Sequence, residues 1–225
     1  LISNNLTWIF FYYYHKFFGE KKLGNLNLDF SKKKSRIQII QEIINQKKYK
    51  SYLEIGTFKN EVFDEIKIDN KIGVDPVMGG NIRKTSDNFF LENKNKFDIN
   101  FIDGLHKYFQ VKKDIENSIN CLNEGGIILL HDCLPNNYYA HAVPRCVYNW
   151  NGDVWRAFIE VRTNENLDSY CCNADQGIGI IIKRKNKNRL LVNISNFSKL
   201  KYNYFFTNYK VLMNLKEVNK VLEII

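Results

Sequence analysis

Apolar residues recur along the chain with two different spacings, and the two kinds of segment alternate. Short apolar runs that stop at Gly, Pro or Asp predict buried strands, whereas apolar residues three and four positions apart predict helices. The predicted strands cover 52–56, 72–76, 82–86 (the weakest), 97–103, 127–132 and 177–182. The predicted helices cover 35–48, 61–68, 108–122 and 154–162. This alternation predicts βαβ units and therefore an α/β domain with a parallel sheet.

Two terminal segments flank a central domain that is expected over 35–192. The N-terminal segment, 1–34, contains an aromatic stretch at 8–18, which is too short to span a bilayer because a spanning helix needs about 20 apolar residues. We expect this stretch to form a helix that packs on the domain or on a second subunit, with contact to a membrane surface as the alternative. The C-terminal segment, 193–225, is expected to be a loop followed by one helix with four apolar residues inward: Leu212, Leu215, Val218 and Leu222.

Composition narrows the class of protein further. The chain has 225 residues, of which 44% are hydrophobic and 25% charged, as in globular proteins. The net charge of +9 suggests nucleic-acid binding, but lysine is scattered along the whole chain and no nucleic-acid motif accompanies it, so we expect a solvated basic surface and no nucleic-acid partner. The five cysteines form no C-x-x-C pair, which argues against a zinc site and favours a reducing cytoplasm.

Polar residues collect where the predicted strands end. In an open α/β sheet, ligands bind beyond the carboxyl ends of the strands. The strand-end residues are Glu54 and Gly56 on the first strand, Asp75 on the second, Asp103 on the fourth, and His131 with Asp132 on the fifth. Because four strands end in this way, the pattern predicts a ligand site at this edge of the sheet.

The loop after the first strand indicates the kind of ligand. Gly56 lets the backbone approach a ligand closely, and Glu54 can accept a hydrogen bond from a cationic amino group. Asp75 lies about 20 residues after the first strand end, where an acidic side chain binds ribose hydroxyls. The loop has one glycine instead of the G-x-G-x-x-G that cradles a pyrophosphate, and no P-loop occurs. A nucleoside cofactor without pyrophosphate, such as S-adenosylmethionine, fits this loop.

These residues resemble the motifs of class I S-adenosylmethionine-dependent methyltransferases. The branch they resemble is the small family 24-like one, often encoded beside polysaccharide and secondary-metabolite genes. The matching segments are LEIGTF at 53–58, VDP at 74–76, FIDGLH at 101–106, GG leading into LLHDCLP at 125–135, VWRAF at 154–158 and GIGII at 177–181. The resemblance covers about residues 52–182. It implies a Rossmann-like, doubly wound, mostly parallel seven-stranded sheet with helices on both faces.

The resemblance also implies roles for individual residues in binding S-adenosylmethionine. The implied cofactor-binding residues are Glu54, Gly56 and Thr57 beside the methionine part, Asp75 at the ribose, Ser86 and Asp87 near the adenine, together with Phe58 and Asp103. Asn60 stands where the family often has a second glycine. Asparagine tolerates left-handed backbone angles better than most residues, so we expect the loop to keep its shape.

The same branch is similar to catechol O-methyltransferase, a magnesium enzyme. Asp103 and Asp132 match its two metal-binding aspartates, but Cys133 replaces its asparagine, and a thiol is a poor ligand for magnesium. Bound Mg²⁺ therefore stays an open question. His106 falls where that enzyme has its catalytic lysine and is the expected general base. His131 is the second candidate, although a core histidine bonded to backbone is the interpretation we favour for it.

The leading hypothesis is O-methylation of a small hydroxylated acceptor, such as a sugar or glycan precursor, by a cytoplasmic enzyme that could form homo-oligomers. Asp103, His106 and His131 are its candidate catalytic residues. Three alternatives remain open: an N-methyltransferase, a nucleic-acid-binding or RNA-modifying protein, and a degenerate member that binds cofactor without catalysis.

Overall fold

The computed structural model describes residues 2–225, with side chains from Leu6 onward. Residue 1, which opens the expected N-terminal segment 1–34, lies outside the described residues. The strands are β1 (Ser51–Ile55), β2 (Asn70–Val74), β3 (Phe97–Ile102), β4 (Leu122–Leu130), β5 (Leu167–Cys172), β6 (Ile178–Lys183) and β7 (Leu215–Lys216). The helices are α1 (Ile2–Phe18), α2 (Arg36–Lys47), α3 (Ser86–Glu92), α4 (Tyr108–Asn120), α5 (Tyr138–His141), α6 (Val154–Arg162), α7 (Tyr202–Leu212) and α8 (Val218–Ile224).

The strands form one seven-stranded sheet in the order β2-β1-β3-β4-β6-β5-β7. The first four strands in this order run parallel, β6 runs antiparallel to both β4 and β5, and β7 is parallel to β5. Buried side chains of α4, α6 and α7 belong to one core cluster, and those of α2 and α8 belong to another that shares the central strands. The expected mostly parallel, seven-stranded sheet with helices on both faces is confirmed.

Two elements predicted in the first half of the chain are wrong. The expected helix over 61–68 is only a series of turns, and the ammonium group of Lys71 donates to the carbonyls of Phe63 and Ile66, at 2.6 and 3.1 Å, where these turns end. The expected strand over 82–86 is reduced to one bridge between Val74 and Ile82. Its last residue instead begins α3, because the Thr85 hydroxyl caps that helix.

Two strands that the sequence pattern did not predict, β5 and β7, lie in the C-terminal half, and none lies at 82–86. β5 was not predicted because its buried run contains Asp168 and Ser169. Asp168 is tolerated there because it accepts hydrogen bonds from the Tyr170 hydroxyl and the Arg184 guanidinium, both at 2.9 Å. The expected single C-terminal helix is also wrong: α7 and α8 are two helices separated by β7. Leu212 and Val218 are buried as expected, whereas Leu215 and Leu222 are half-buried.

The N-terminal helix α1 lies against the segment that follows β4. Phe11 and Tyr12 pack on the core, and the Tyr12 ring stacks on Tyr139 with centroids 4.7 Å apart. His15 is buried, with its Nε2 2.9 Å from the carbonyl oxygen of Pro144. Among the described helices, none is both long and apolar enough to cross a membrane.

The Asp168 cluster yields a stability prediction. Replacing Asp168 with Ala removes the acceptor of two buried hydrogen bonds and leaves the Arg184 charge unpaired, so the free energy of unfolding should fall by about 2–4 kcal/mol in urea titrations. Asp69→Ala is the matched control, because Asp69 forms an ion pair with Lys50 that is exposed on both sides. The control should lose less than about 0.5 kcal/mol. Equal losses in the two variants would contradict this account of β5.

Candidate cofactor site and catalytic cluster

A cavity of about 720 Å³ opens at the carboxyl ends of the parallel strands. This volume is within the usual range of small-molecule sites. Predicted cofactor-site residues line it together: Glu54, Gly56, Thr57, Phe58, Asp75, Ser86, Asp87 and Asp103. His106 lines it too, whereas His131 and Asp132 are not part of its wall. The structure therefore brings the expected cofactor residues and one of the two candidate bases to a single space.

The loop after β1 is shaped by residues with left-handed backbone angles. Gly56 has φ +90°, and a Cβ there would come within 2.3 Å of the Asp103 carbonyl oxygen, so glycine is required. Asn60 has φ +63°, the conformation expected of it. Its side chain also accepts a hydrogen bond from the Gly80 amide at 2.6 Å, which ties the loop to the turn after β2.

Asp75 follows β2 and is held in place by backbone amides. Its Oδ2 accepts from the amide of Phe58 at 3.0 Å, and its Oδ1 accepts from the amides of Val77 and Met78 at 2.8 and 3.0 Å. The carboxylate is 8% exposed and faces the cavity. Its orientation is therefore fixed by the chain itself, as preorganised binding of a ribose diol would require.

Two polar groups on the floor of the cavity are suited to a ligand. The Thr57 hydroxyl is buried and has no hydrogen-bond partner among the residues that the structure describes. Glu54 is 1% exposed and accepts a 2.5 Å hydrogen bond from the Tyr52 hydroxyl. Burial disfavours the carboxylate and raises the pKa of Glu54 to about 8. A cationic amino group beside Glu54 would offset that cost, so these residues fit the aminoacyl end of S-adenosylmethionine.

The far end of the cavity is organised by a glutamine that sequence reasoning missed. Gln110 donates from its amide to Ser86 Oγ, Asp87 Oδ1 and Asp114 Oδ1, at 3.0–3.1 Å. Ser86 and Asp87 lie in the first turn of α3 and not on a third strand. Burial raises the pKa of Asp114 to about 6. Gln110 and Asp114 are four residues apart on one face of α4, a spacing that could have indicated a shared site.

Two histidines connect two aspartates where β3 and β4 end. His106 Nε2 lies 3.3 Å from Asp103 Oδ1, and His106 Nδ1 lies 3.1 Å from Asp132 Oδ2. His131 Nδ1 lies 3.1 Å from the same Asp103 oxygen and 3.4 Å from the same Asp132 oxygen. Because β3 and β4 are neighbours in the sheet, their ends bring these four side chains together.

The favoured interpretation of His131 as a backbone-bonded core histidine is wrong. It is buried, but its ring nitrogens face carboxylates: Nε2 is 3.3 Å from Asp175 Oδ1, and Nδ1 faces Asp103 and Asp132. Arg36 completes the enclosure, with Nη1 3.1 Å from Asp175 Oδ1 and 3.2 Å from His131 Nε2. Sequence reasoning missed Arg36 and Asp175 because neither ends a strand predicted to border the site.

Charges in this cluster balance. Burial opposes the charged form of both histidines, but the carboxylates of Asp132 and Asp103 outweigh it and raise the pKa of His106, and that of His131 further. Burial likewise opposes ionisation of Asp103, and the two histidines overcome it and hold the pKa of that carboxyl well below its ordinary value. With Arg36 and Asp175 included, three cations face three carboxylates, so the cluster is buried as a neutral group.

The same cluster could hold a divalent metal ion. Asp103, His131 and Asp132 each offer one ligand atom, and these atoms lie within 4.8 Å of one another. Two carboxylates fit a divalent cation, and the imidazole nitrogen favours a transition ion such as Mn²⁺ over Mg²⁺. Cys133 does not join the set, because its Sγ contacts the Leu130 carbonyl in the core. Asn151 brings an amide to Asp132 Oδ1 at 2.7 Å from a distant part of the chain.

Comparisons with known proteins agree with this geometry. Residues 68–133 match a family model described as a methyltransferase domain. Among solved structures, the chain is similar to cofactor-bound Rv0187 from MTB, with 12% identity, 72% of this chain and 85% of the other covered, and a TM-score of 0.50. It is also similar to a protein from Klebsiella pneumoniae assigned as an O-methyltransferase, with 13% identity, 81% and 99% coverage, and a TM-score of 0.50. No curated protein sequence matches the chain.

At these identities the structural similarities show the fold alone. The chain has the fold of these methyltransferase structures, and residues 68–133 match a methyltransferase domain.

Glu54 yields a pH prediction. Its folded pKa of about 8 lies above the ordinary 4.5, so between these values the folded protein keeps a proton that the unfolded chain has lost. Stability should therefore fall as pH rises through this window. Glu54→Gln removes the titration, so the variant should melt several degrees above the wild type at pH 8 and close to it at pH 5. The opposite trend, or a difference independent of pH, would contradict a neutral Glu54.

Proposed function

We propose that the protein transfers the methyl group of S-adenosylmethionine to a hydroxyl of a small acceptor, a sugar or a similar molecule. One observation carries the proposal: His106 and Asp103 line the same cavity as Glu54, Thr57 and Asp75. A group that can take a proton therefore lies in one space with the groups suited to the cofactor. This is the arrangement that O-methylation needs, because a hydroxyl must lose its proton as it attacks the methyl group.

The cofactor would lie along the cavity with its aminoacyl end at Glu54 and Thr57. Its ribose diol would face the preorganised carboxylate of Asp75, and its adenine would lie towards Ser86, Asp87 and Gln110. This placement of the cofactor supports the proposal. Asp103 lies against the loop at Gly56, so the catalytic cluster lies at the methionine end of the cavity. The methyl group would then be presented on the side of the cavity where His106 lies.

His106 is the proposed general base. Its ring is oriented by stacking on Trp150, with centroids 5.5 Å apart, and by the carboxylates on its two nitrogens. Bound S-adenosylmethionine, held by Glu54, Thr57 and Asp75, would supply the methyl group to the acceptor oxygen and would leave as S-adenosylhomocysteine. His106 must first lose the proton that its carboxylate neighbours favour, and the hydroxyl proton then passes to the freed Nε2, the nitrogen that faces Asp103. His131 is buried behind the cavity wall, so its proposed role is to position Asp103.

If a divalent ion is bound, Asp103, Asp132 and His131 are the residues that would hold it. The ion would lower the pKa of an acceptor hydroxyl that it contacts. His106 would still be the side chain on the cavity wall that takes the proton.

The His106 assignment can be tested by substitution. His106→Ala should lower methyl transfer by at least about 100-fold, the usual contribution of a general base. Turnover would be measured as S-adenosylhomocysteine released with a panel of hydroxylated acceptors, including sugars and catechol. Affinity for S-adenosylhomocysteine should stay within about threefold, because His106 acts in the transition state and not in cofactor binding.

Lys107→Ala is the matched control, because Lys107 is the exposed neighbour of His106 and should be replaceable without effect. Normal turnover by His106→Ala would refute the assigned base. Turnover of amine acceptors alone would refute O-methylation and favour the N-methyltransferase alternative. Repeating the assay with a chelator, and then with added Mn²⁺ or Mg²⁺, tests the metal-assisted form of the mechanism.

A further inference from the structure

Helix α1 carries a continuous apolar surface on its outer side. Seven large side chains spaced three and four residues apart are between 48% and 78% exposed. We call them the aromatic face: Leu6, Ile9, Phe10, Tyr13, Tyr14, Phe17 and Phe18. Single exposed apolar residues are ordinary, but a contiguous set of this kind marks an interaction surface.

The aromatic face cannot turn inward, because the other side of α1 is already engaged. The Tyr12 ring stacks on Tyr139, and His15 is buried against the Pro144 carbonyl. Nearer the start of the helix, the Arg145 guanidinium lies 4.4 Å from the centre of the Trp8 ring. These contacts fix the rotation of the helix about its axis, so its outer side is held towards solvent.

The surroundings of the aromatic face are basic. Residues 2–18 contain no Asp or Glu, and neither does the segment 133–152 on which α1 packs. Lys16 lies among the outward rings, with its ammonium 5.8 Å and 5.9 Å from the ring centres of Tyr13 and Phe17. Glu20 is the nearest acidic residue in the chain, and its carboxylate is occupied by the first two amides of α7.

These charges favour one of two possible partners of the aromatic face, an anionic lipid surface, over the other, a second copy of the chain. Two copies of a chain with a net charge of +9 would repel each other if they paired through their aromatic faces. An anionic lipid surface would instead attract this side of the molecule. Tyrosine and tryptophan are enriched at the level of lipid headgroups, and a lysine among them can extend its ammonium to the phosphates.

We propose that the aromatic face of α1 binds the surface of an anionic phospholipid bilayer, with the helix lying parallel to the membrane. The outer rings enter the headgroup region while the inner side of α1 stays packed on the domain. The contact is peripheral, because α1 is held against the protein along its length. It does not depend on the reaction that the enzyme catalyses.

Vesicle flotation tests the proposal with the whole chain. The protein should float with vesicles of equimolar phosphatidylcholine and phosphatidylserine, and not with phosphatidylcholine alone. Phe10→Ser combined with Phe17→Ser should weaken binding to the anionic vesicles at least about tenfold, because two rings no longer enter the interface. Leu91→Ser combined with Phe109→Ser is the matched control: these apolar side chains are at least as exposed but lie on α3 and α4, and binding should not change.

Circular dichroism and S-adenosylhomocysteine affinity check that both double variants remain folded. Absence of flotation with anionic vesicles would overturn the proposal, as would equal binding by the Phe10/Phe17 variant and the wild type. It would also be overturned if the wild type formed a dimer in sedimentation, the Phe10/Phe17 variant were monomeric, and neither bound vesicles. That result would assign the aromatic face to a second copy of the chain.

Discussion

The structure depends on how the charges of three carboxylates are balanced around His131. Asp103, Asp132 and Asp175 come from three different segments, and their mutual repulsion would open this edge of the sheet if they were left unbalanced. His131, His106 and Arg36 supply the opposing charge. Because Arg36 begins α2 and Asp175 precedes β6, the cluster also joins one helix and one antiparallel strand to the ends of β3 and β4. Within this cluster, His106 lies at the cavity wall and His131 lies behind it.

The cavity has two different electrostatic environments. At Glu54, one carboxyl is buried and accepts a hydrogen bond from the Tyr52 hydroxyl. Burial makes its charged form costly, and Arg36 and Lys71 favour that form only in part, without an ion pair to Glu54. At Asp103, two histidines contact the carboxylate and more than offset the effect of burial. A cationic cofactor would bring Glu54 the contacting positive charge that Asp103 already has. This difference explains how neighbouring acidic residues in one cavity can serve binding at one end and proton transfer at the other.

Helix α1 is linked to the catalytic cluster through the segment 144–150. Its His15 contacts Pro144 and its Trp8 contacts Arg145, while Trp150 stacks on His106 at the other end of this segment. Arg145 itself lies on the cavity wall. The surface that the aromatic face presents is therefore only a few contacts from the candidate base.

The parts of the fold and site that could be predicted were those with a local signal. Glu54, Asp75, Asp103 and Asp132 each follow an apolar run, and parallel strands place their ends at one edge, so their convergence followed from the sequence. The remainder depends on partners far along the chain. β5 was hidden because its polar Asp168 is paired with Arg184, and two carbonyls of the turns over 61–68 accept from Lys71, which lies on the next strand, and not from a further helical turn.

The unpredicted residues of the site were missed for the same reason: their partners lie far away along the chain. Arg36, Asp175 and Asn151 lie at a helix start or in loops, and only tertiary structure brings them to the cluster. No spacing in the sequence indicates that Asn151 reaches Asp132, whereas Tyr52 and Glu54 are two apart on β1 and therefore share one face of the strand. Family resemblance assigned each residue only to a part of the cofactor, whereas the structure gives the hydrogen-bond partners of that residue.

Calorimetric titration with S-adenosylhomocysteine at pH 7, in two buffers of different ionisation enthalpy, tests the central claim most directly. Binding beside the neutral Glu54 carboxyl should release a proton as the ligand's ammonium group lowers its pKa, so the measured heats should differ between the buffers. Asp75→Ala should bind about tenfold more weakly, whereas the exposed-site control Asp64→Ala should not. Absence of binding, or binding with no proton release, would contradict the account of this cavity.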